Sequence, residues 1–353
     1  MTVRIGRMAF SDWISLSFAG GWSDTFIFRV DPLACIPPFD YAPPLKRMAA
    51  HVQGKRPGAS LWVQVEGPGE WFLAELRRCL RGLRLPFAIT HPDASPSHLR
   101  FSVPPRLWQE PQRPPPSLPE SFRPLLGEDL RCLQALCRMK QGDGHETASL
   151  AGLSVGEATI HLHDLASKGL IVCLDGTQSS FIPSARGLSL ALRSWNIPSG
   201  VAFTSRQEEN LQDIGSKHRH LARLWPSWLK SAWPQAEVWA GWSEVWVPEV
   251  SVVPDGLAWG RFQGYETLFW LEVGDGHKSR AEITEVTARR LKQAQNLCAR
   301  TGMRLVYVQL SPPWVHAAAR WGCMNLSEDV AVVLGDWRQF GRLPMADWGR
   351  VAG

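Results

Sequence analysis

The chain has 353 residues, 44% hydrophobic and 20% charged, with a formal net charge of +5. That length predicts two or three globular domains at roughly 150 residues each, and the small positive charge permits a polyanion partner without requiring one. The seven cysteines are scattered, odd in number and form no C-x-x-C pair, which argues against a disulfide framework or zinc ribbon, and no apolar run approaches the ~20 residues of a membrane span.

The opening "MTVRIGRMAFSDWISLSFAGG" is broken by Ser and Asp, so no signal peptide is expected and the cytoplasm is the expected location. "TFIFRV" (25–30) and "SLWVQVE" (60–66) read as strands, with a short helix between them ended by Gly54. In "EWFLAELRRCLRGLRL", Phe72, Leu76, Leu80 and Leu83 recur at helical spacing, and Arg77, Arg81 and Arg84 form a basic stripe beside Arg78. "PFAIT" and "HLRFSV" suggest two further strands. Residues 1–108 are therefore expected to form a small N-terminal α/β domain. The repeated prolines that follow predict a stiff, extended linker over 109–121.

Residues 122–198 follow a different pattern. Two short helices precede Ser154-Val-Gly-Glu157, a capping box that opens a third helix stopping at Gly169. That helix is expected to bury Ile160, Leu162 or His163, and Leu165. "LIVCLDGTQSSFIPS" reads as two strands around an Asp-Gly turn. Three helices and a β-hairpin make the winged helix-turn-helix order, and "LAGLSVGEATIHLHDLASKGLI" resembles the winged-helix family. Thr159, His161, His163 and Lys168 are the candidate DNA contacts, although Glu157 and Asp164 leave the helix only weakly basic; protein docking is the alternative use of such a module.

From 199 to 353 the elements read α-β-β-β-α-β-α-β. The first helix is expected to break near Gly215 and at Pro226, and the long "RAEITEVTARRLKQAQNLCARTG" helix predicts a parallel crossover to "RLVYVQLS". Eighteen Trp stand against three Tyr, and eight of them lie between 225 and 270. Core packing is their expected role, base stacking on exposed rings the alternative.

With "VVPDGLAWG" on the second strand and "FWLEVGDG" on the third, this order resembles the PD-(D/E)xK restriction-endonuclease-like fold. Together with the winged helix and "KHRHLARLW" it resembles, more narrowly, the replication-relaxation family of bacterial plasmids and mobile elements. The resemblance spans about 122–335 and implies an α/β multidomain protein ending in a nuclease-like domain, with duplex DNA as partner. It further implies Asp255 and Glu272 as metal-binding and catalytic carboxylates and Mg²⁺ as cofactor if the chain cuts DNA. The chemistry agrees, because two adjacent strands can offer both acids to one ion that activates a water.

The motif's lysine is missing, as position 274 is Gly. Lys278 and Lys292 are candidate replacements, and Arg289, Lys292, Asn296 and Arg300 lie on one polar helix face able to meet a phosphate backbone. Three readings stay open: a degenerate nuclease-like fold that binds DNA, an active Mg²⁺-dependent endonuclease, and a non-catalytic adaptor that docks proteins through its winged helix or N-terminal domain. "GPGEW" and "GDGHK" lack the phosphate-loop pattern.

Overall fold

The computed structural model describes residues 3–8, 11–30, 42–65, 69–111, 127–174, 180–195, 217–247, 250–274, 278–324 and 326–353. It is a mixed α/β chain that divides into two compact units. One comprises Met1–Cys35, Phe39–Leu126 and Leu192–Ser199, the other Ile36–Pro38, Gly127–Ala191 and Gly200–Gly353. Most of the expected Pro-rich linker, from 112 on, lies outside the described residues.

In the first unit, β1 (Val3–Met8), β2 (Ser11–Phe18) and β3 (Gly21–Val30) form an antiparallel meander. Then come α1 (Ala42–Lys55), β4 (Ser60–Val65), α2 (Glu70–Arg81) and β5 (Phe87–Thr90). The sheet order is β1-β2-β3-β4-β5, with β3–β4 and β4–β5 parallel. Each parallel step is bridged by a helix, which the crossover requires. Every residue of β4 is buried, the mark of a strand covered on both faces. Two expectations fail. "HLRFSV" holds a 3₁₀ turn at Pro96–His98 in place of a strand. The helix ends at Arg81, before Leu83, and Arg84 turns into the left-handed region at φ 55°.

The second unit begins with α3 (Glu128–Met139), α4 (Gly144–Ala151) and α5 (Val155–Ser167), then the hairpin β6 (Ile171–Cys173) and β7 (Phe181–Pro183), then α6 (Ala185–Ser194). The Ser154–Glu157 capping box is present, and Asp143–Glu146 forms another. Ile160 is a correction: it is 68% exposed, while Ala158, Leu162 and Leu165 make the buried face. Counting seven residues back from the end of the stripe at Leu165 reaches Ala158, which leaves Ile160 on the opposite side.

Next come α7 (Lys217–Ala232), β8 (Glu237–Ser243), β9 (Gly256–Phe262), β10 (Tyr265–Val273), α8 (Arg280–Thr301), β11 (Arg304–Ser311), α9 (Pro313–Gly322), β12 (Val330–Asp336) and β13 (Val351–Ala352). Their sheet runs β13-β12-β11-β10-β9-β8, antiparallel from β8 to β10 and parallel from β10 to β13. The long helix is therefore the predicted parallel crossover.

Helix α7 continues through Pro226, against the expected break. Two glycine hollows in the sheet receive it. A Cβ on Gly256 would stand 2.5 Å from the Trp225 ring, and one on Gly241 would stand 2.8 Å from Pro226 Cβ. The Gly of "PDG" thus admits an indole. Trp225, Trp228, Trp233, Trp242, Trp259 and Trp270 are buried, as core packing predicts. A polar seam joins the helical segment to this sheet. Arg138 Nε donates to the Gly241 carbonyl (2.8 Å), Ser243 Oγ donates to the Arg138 carbonyl (3.0 Å), and Glu146 meets both His220 (3.1 Å) and Arg223 (3.2 Å).

Candidate functional site

The β9–β10 ladder ends where Gly256 faces Leu271. Just beyond it, Asp255 Oδ2 accepts the Val273 N–H at 2.6 Å. A carboxylate here completes the end of the ladder, and this bond holds Asp255 beside the last turn of β10. Its other oxygen, Oδ1, lies 2.9 Å from His218 Nε2. His218 stands two helical turns before Trp225 on the same face of α7, so the indole seated on Gly256 delivers the imidazole to Asp255.

Glu272 pairs in register with Gln309 on the parallel neighbour β11. Its Oε1 accepts the Trp270 indole N–H (2.8 Å), and its Oε2 lies 3.6 Å from Arg290 Nε on α8. Gln309 Oε1 accepts the Thr287 hydroxyl at 3.0 Å, which ties α8 to the strand. Both acids open on one cavity of about 220 Å³, with His218, Arg290, Gln309, Tyr307 and Lys278 also in its walls. The two acids thus line one cavity, Glu272 from β10 and Asp255 from the bend one residue before β9.

The electrostatics follow from crowding. Burial, and then the charge of Asp255, push the Glu272 carboxyl up to about 8, against the pull of Arg290. Burial alone would lower His218, but its hydrogen bond to Asp255 and the charges of Asp255, Glu244 and Glu272 outweigh it, so His218 is raised. Tyr307 is raised well above its ordinary value by burial and by Glu272.

Among the described residues no group of three or more His, Cys, Asp or Glu side chains is gathered to hold a metal ion. Mg²⁺ does not need one, because it keeps several waters and takes one or two carboxylates plus phosphate oxygens. Asp255 and Glu272 supply hard oxygen donors to one cavity, and the charge of Asp255 is, after burial, the second influence that raises Glu272. The residues fit the ion.

Lys278 lines the cavity, exposed at its mouth, whereas Arg289, Lys292, Asn296 and Arg300 are exposed on α8 and are not among its lining residues. The cation beside Glu272 is Arg290, which the sequence reading passed over. It falls seven residues after Ile283, inside the apolar stripe Ile283–Thr287–Leu291–Ala294. A cation at such a position is a readable signal. His218, in the "KHRHLARLW" segment, is the other side chain brought in. Asp275, Glu208, Glu209 and Asp213 lie outside the described residues.

Along α5 and at its C-cap, each candidate DNA contact has a partner within the unit. Thr159 Oγ1 donates to the Val155 carbonyl (2.8 Å), and His161 Nδ1 lies 2.7 Å from Asp129. Lys168 bonds Asp129 (2.8 Å) and Asp164, and His163 sets its edge against Phe181, ring centres 5.7 Å apart.

No family model and no curated protein matches this chain. Among solved structures it is similar to the crystal structure of protein VC1899 from Vibrio cholerae, with 13% identity over 87% of this chain and 80% of that one, and a TM-score of 0.24. A likeness at that score carries no argument. No helix among the described residues is long and apolar enough to cross a membrane.

Proposed function

We propose that this chain is a nucleic-acid-binding protein whose second unit is of the restriction-endonuclease-like type, with the Asp255–Glu272 cavity as a metal-assisted phosphodiester-cleaving site. The observation that carries the reading is that acids seventeen positions apart (272 less 255) line one cavity together with a guanidinium and an imidazole. Asp255 and Glu272 would hold Mg²⁺. When bound, the ion supplies charge stabilisation and lowers the pKa of a coordinated water. His218 fixes the orientation of Asp255. Arg290 and Lys278 place positive charge where a phosphate would enter.

The segment α3-α4-α5-β6-β7 has winged-helix order and is the proposed duplex-locating module. The resemblance sets the protein in the cytoplasm of a bacterium carrying a plasmid, phage or other mobile element. One observation favours a docking role for that module instead: on α5, Val155 and Ile160 are exposed while Thr159, His161 and Lys168 bond within the unit.

The test is cleavage of labelled DNA with Mg²⁺ or Mn²⁺, comparing wild type with Asp255→Ala and Glu272→Ala, beside anisotropy of duplex binding across ionic strength. Cleavage lost in both variants, and binding that weakens steeply with salt, is the expected result. Cutting that survives either substitution, or flat anisotropy at low salt, overturns the reading.

A further inference from the structure

Six of the eight clustered tryptophans are core, Trp239 is half-buried and Trp246 is exposed, so the question of base stacking passes to the most exposed rings. On α9, Trp314 is 62% and Trp321 is 68% exposed. They are seven residues apart, so they share one helix face about 10 Å from each other along the axis. Ala317 is exposed between them, and Met324 extends the stripe past the helix end at 59% exposure. The opposite face of α9 is packed by Val315, Ala318 and Ala319. A soluble surface gains nothing from two bare indoles on one helix face unless something covers them.

The position of the stripe says what covers it. Val315, the neighbour of Trp314, lines the Asp255–Glu272 cavity. Helix α9 leaves β11 at Ser311, beyond the end of the strand that carries Gln309. It packs closely on α8: Thr284 Oγ1 donates to the Ala318 carbonyl (3.0 Å), and a Cβ on Gly322 would stand 2.6 Å from the Thr284 carbonyl oxygen. The two helices therefore lie side by side. Exposed Lys278, just before α8, and Val315, beside Trp314, line the same cavity, so the starts of the two helices both reach it. Exposed charges over 278–300 are five cations (Lys278, Arg280, Arg289, Lys292, Arg300) against two acids (Glu282, Glu285). Indoles bordered by cations and continuous with a phosphodiester site complement a polyanion with open π-faces. A neutral apolar partner would leave the cations unanswered.

We propose that the Trp314–Trp321 face of α9 is a stacking platform for unpaired nucleobases of the strand that enters the Asp255–Glu272 cavity. The inference rests on the nucleic-acid reading of that cavity and adds the form of the partner: a strand whose bases are open at α9, be it single-stranded DNA or RNA or a frayed duplex end. Trp314 and Trp321 bind and position the strand, and take no part in the bond-breaking step.

The test uses the full chain and a fluorescein-labelled oligo(dT) of about twenty nucleotides, with a blunt duplex of equal length and phosphatidylserine vesicles as the other probes. Trp314→Ala and Trp321→Ala should each weaken oligo(dT) binding about tenfold, and Trp→Phe at either site should restore most of it, because the ring plane is kept. The slope of log K against log salt should stay at its wild-type value in the Trp variants and fall in Lys278→Ala, since stacking releases no counterions. Wild-type binding that the double Trp→Ala variant retains overturns the platform and leaves the cavity reading standing. Oligo(dT) binding that depends on the Trp pair, with cleavage indifferent to Asp255→Ala, keeps the platform and sinks the cavity reading. Vesicle binding lost in the Trp variants without any oligo(dT) binding overturns the platform in favour of a membrane face. No binding to any of the probes overturns both proposals.

Discussion

Both sheets carry an aspartate next to hydroxyl- or amide-bearing neighbours, yet the two are set up for different ends. In the first unit Asp24 has no solvent exposure. Its Oδ1 accepts the Ser15 hydroxyl at 2.9 Å, and its Oδ2 meets no donor among the described residues. Around it Thr25 and Ser60 bond each other at 2.8 Å. Burial is the largest influence on Asp24 and raises it, against the Ser15 bond and the charge of Arg56. In the second unit Asp255 has a hydrogen-bond partner on each oxygen, an adjacent acid and a cavity in front of it. The contrast teaches that burial alone makes a carboxylate costly, whereas burial beside an imidazole, a guanidinium and open space makes one available for chemistry.

The largest expected effect tests that contrast directly. Asp255→Ala should lower DNA cleavage by the order of 10³-fold, as loss of a group that holds charge at the reacting centre does. Asp24→Ala should leave the rate within about twofold when folded protein is compared at equal concentration. A rate that falls equally in both variants would show that the two aspartates are alike and that folding, not chemistry, is being measured.

Next comes Glu272→Gln. The folded carboxyl titrates at about 8 and the unfolded one near 4.5. Its folded value is raised, so its stability contribution is whole below 4.5 and declines as pH climbs toward 8, where the folded state still holds the proton that the unfolded chain has released. Removing the charge should make the variant more stable than wild type at pH 8 by roughly 4 kcal/mol and little different at pH 4.5, read from urea midpoints at constant m. Equal midpoints at pH 8 would show Glu272 to be ionised at no cost.

A smaller gain is expected from Gly274→Lys. A Cβ at 274 would meet nothing nearer than Ser311 Cβ at 3.4 Å, an ordinary contact, and Gly274 has no left-handed backbone to defend. The added ammonium lies on the strand face of Glu272, two residues on. It should lower the Glu272 pKa and speed cleavage about tenfold, seen as a shift of the acid limb of the pH–rate profile to lower pH. An unshifted limb would mean that Arg290 already saturates the site.

Much of the second unit was legible because its signals are local and periodic. Capping residues, glycines after helices and apolar strands gave the α-β-β-β-α-β-α-β order, and the spacing of the acids placed Asp255 and Glu272 on neighbouring strands. What was missed depends on helical phase. Each residue turns about 100°, so Arg289 and Arg290 face different worlds, and Ile160 faces outward although it is apolar. Pro226 was read as a break because the receiving hollow, Gly241, lies on another element. The first hairpin, β1–β2, went unread because Arg, Ser, Asp and Gly interrupt its apolar positions, and cross-strand pairing is non-local.

The finest test of the comparison returns to Asp24. Its raised carboxyl lowers stability as pH climbs past the ordinary aspartate value of 3.8, the same sign as Glu272 but without a partner acid to sharpen the window. Asp24→Asn keeps an acceptor for Ser15 and removes the charge, but places an amide where Oδ2 now lacks a partner. The gain at pH 7 should therefore be small, about 1 kcal/mol, with the slope of stability between pH 4 and 7 reduced relative to wild type. Cleavage should be untouched. A slope that stays at its wild-type value would show that burial does not raise Asp24, and the distinction between the two sheets would then rest on the cavity alone.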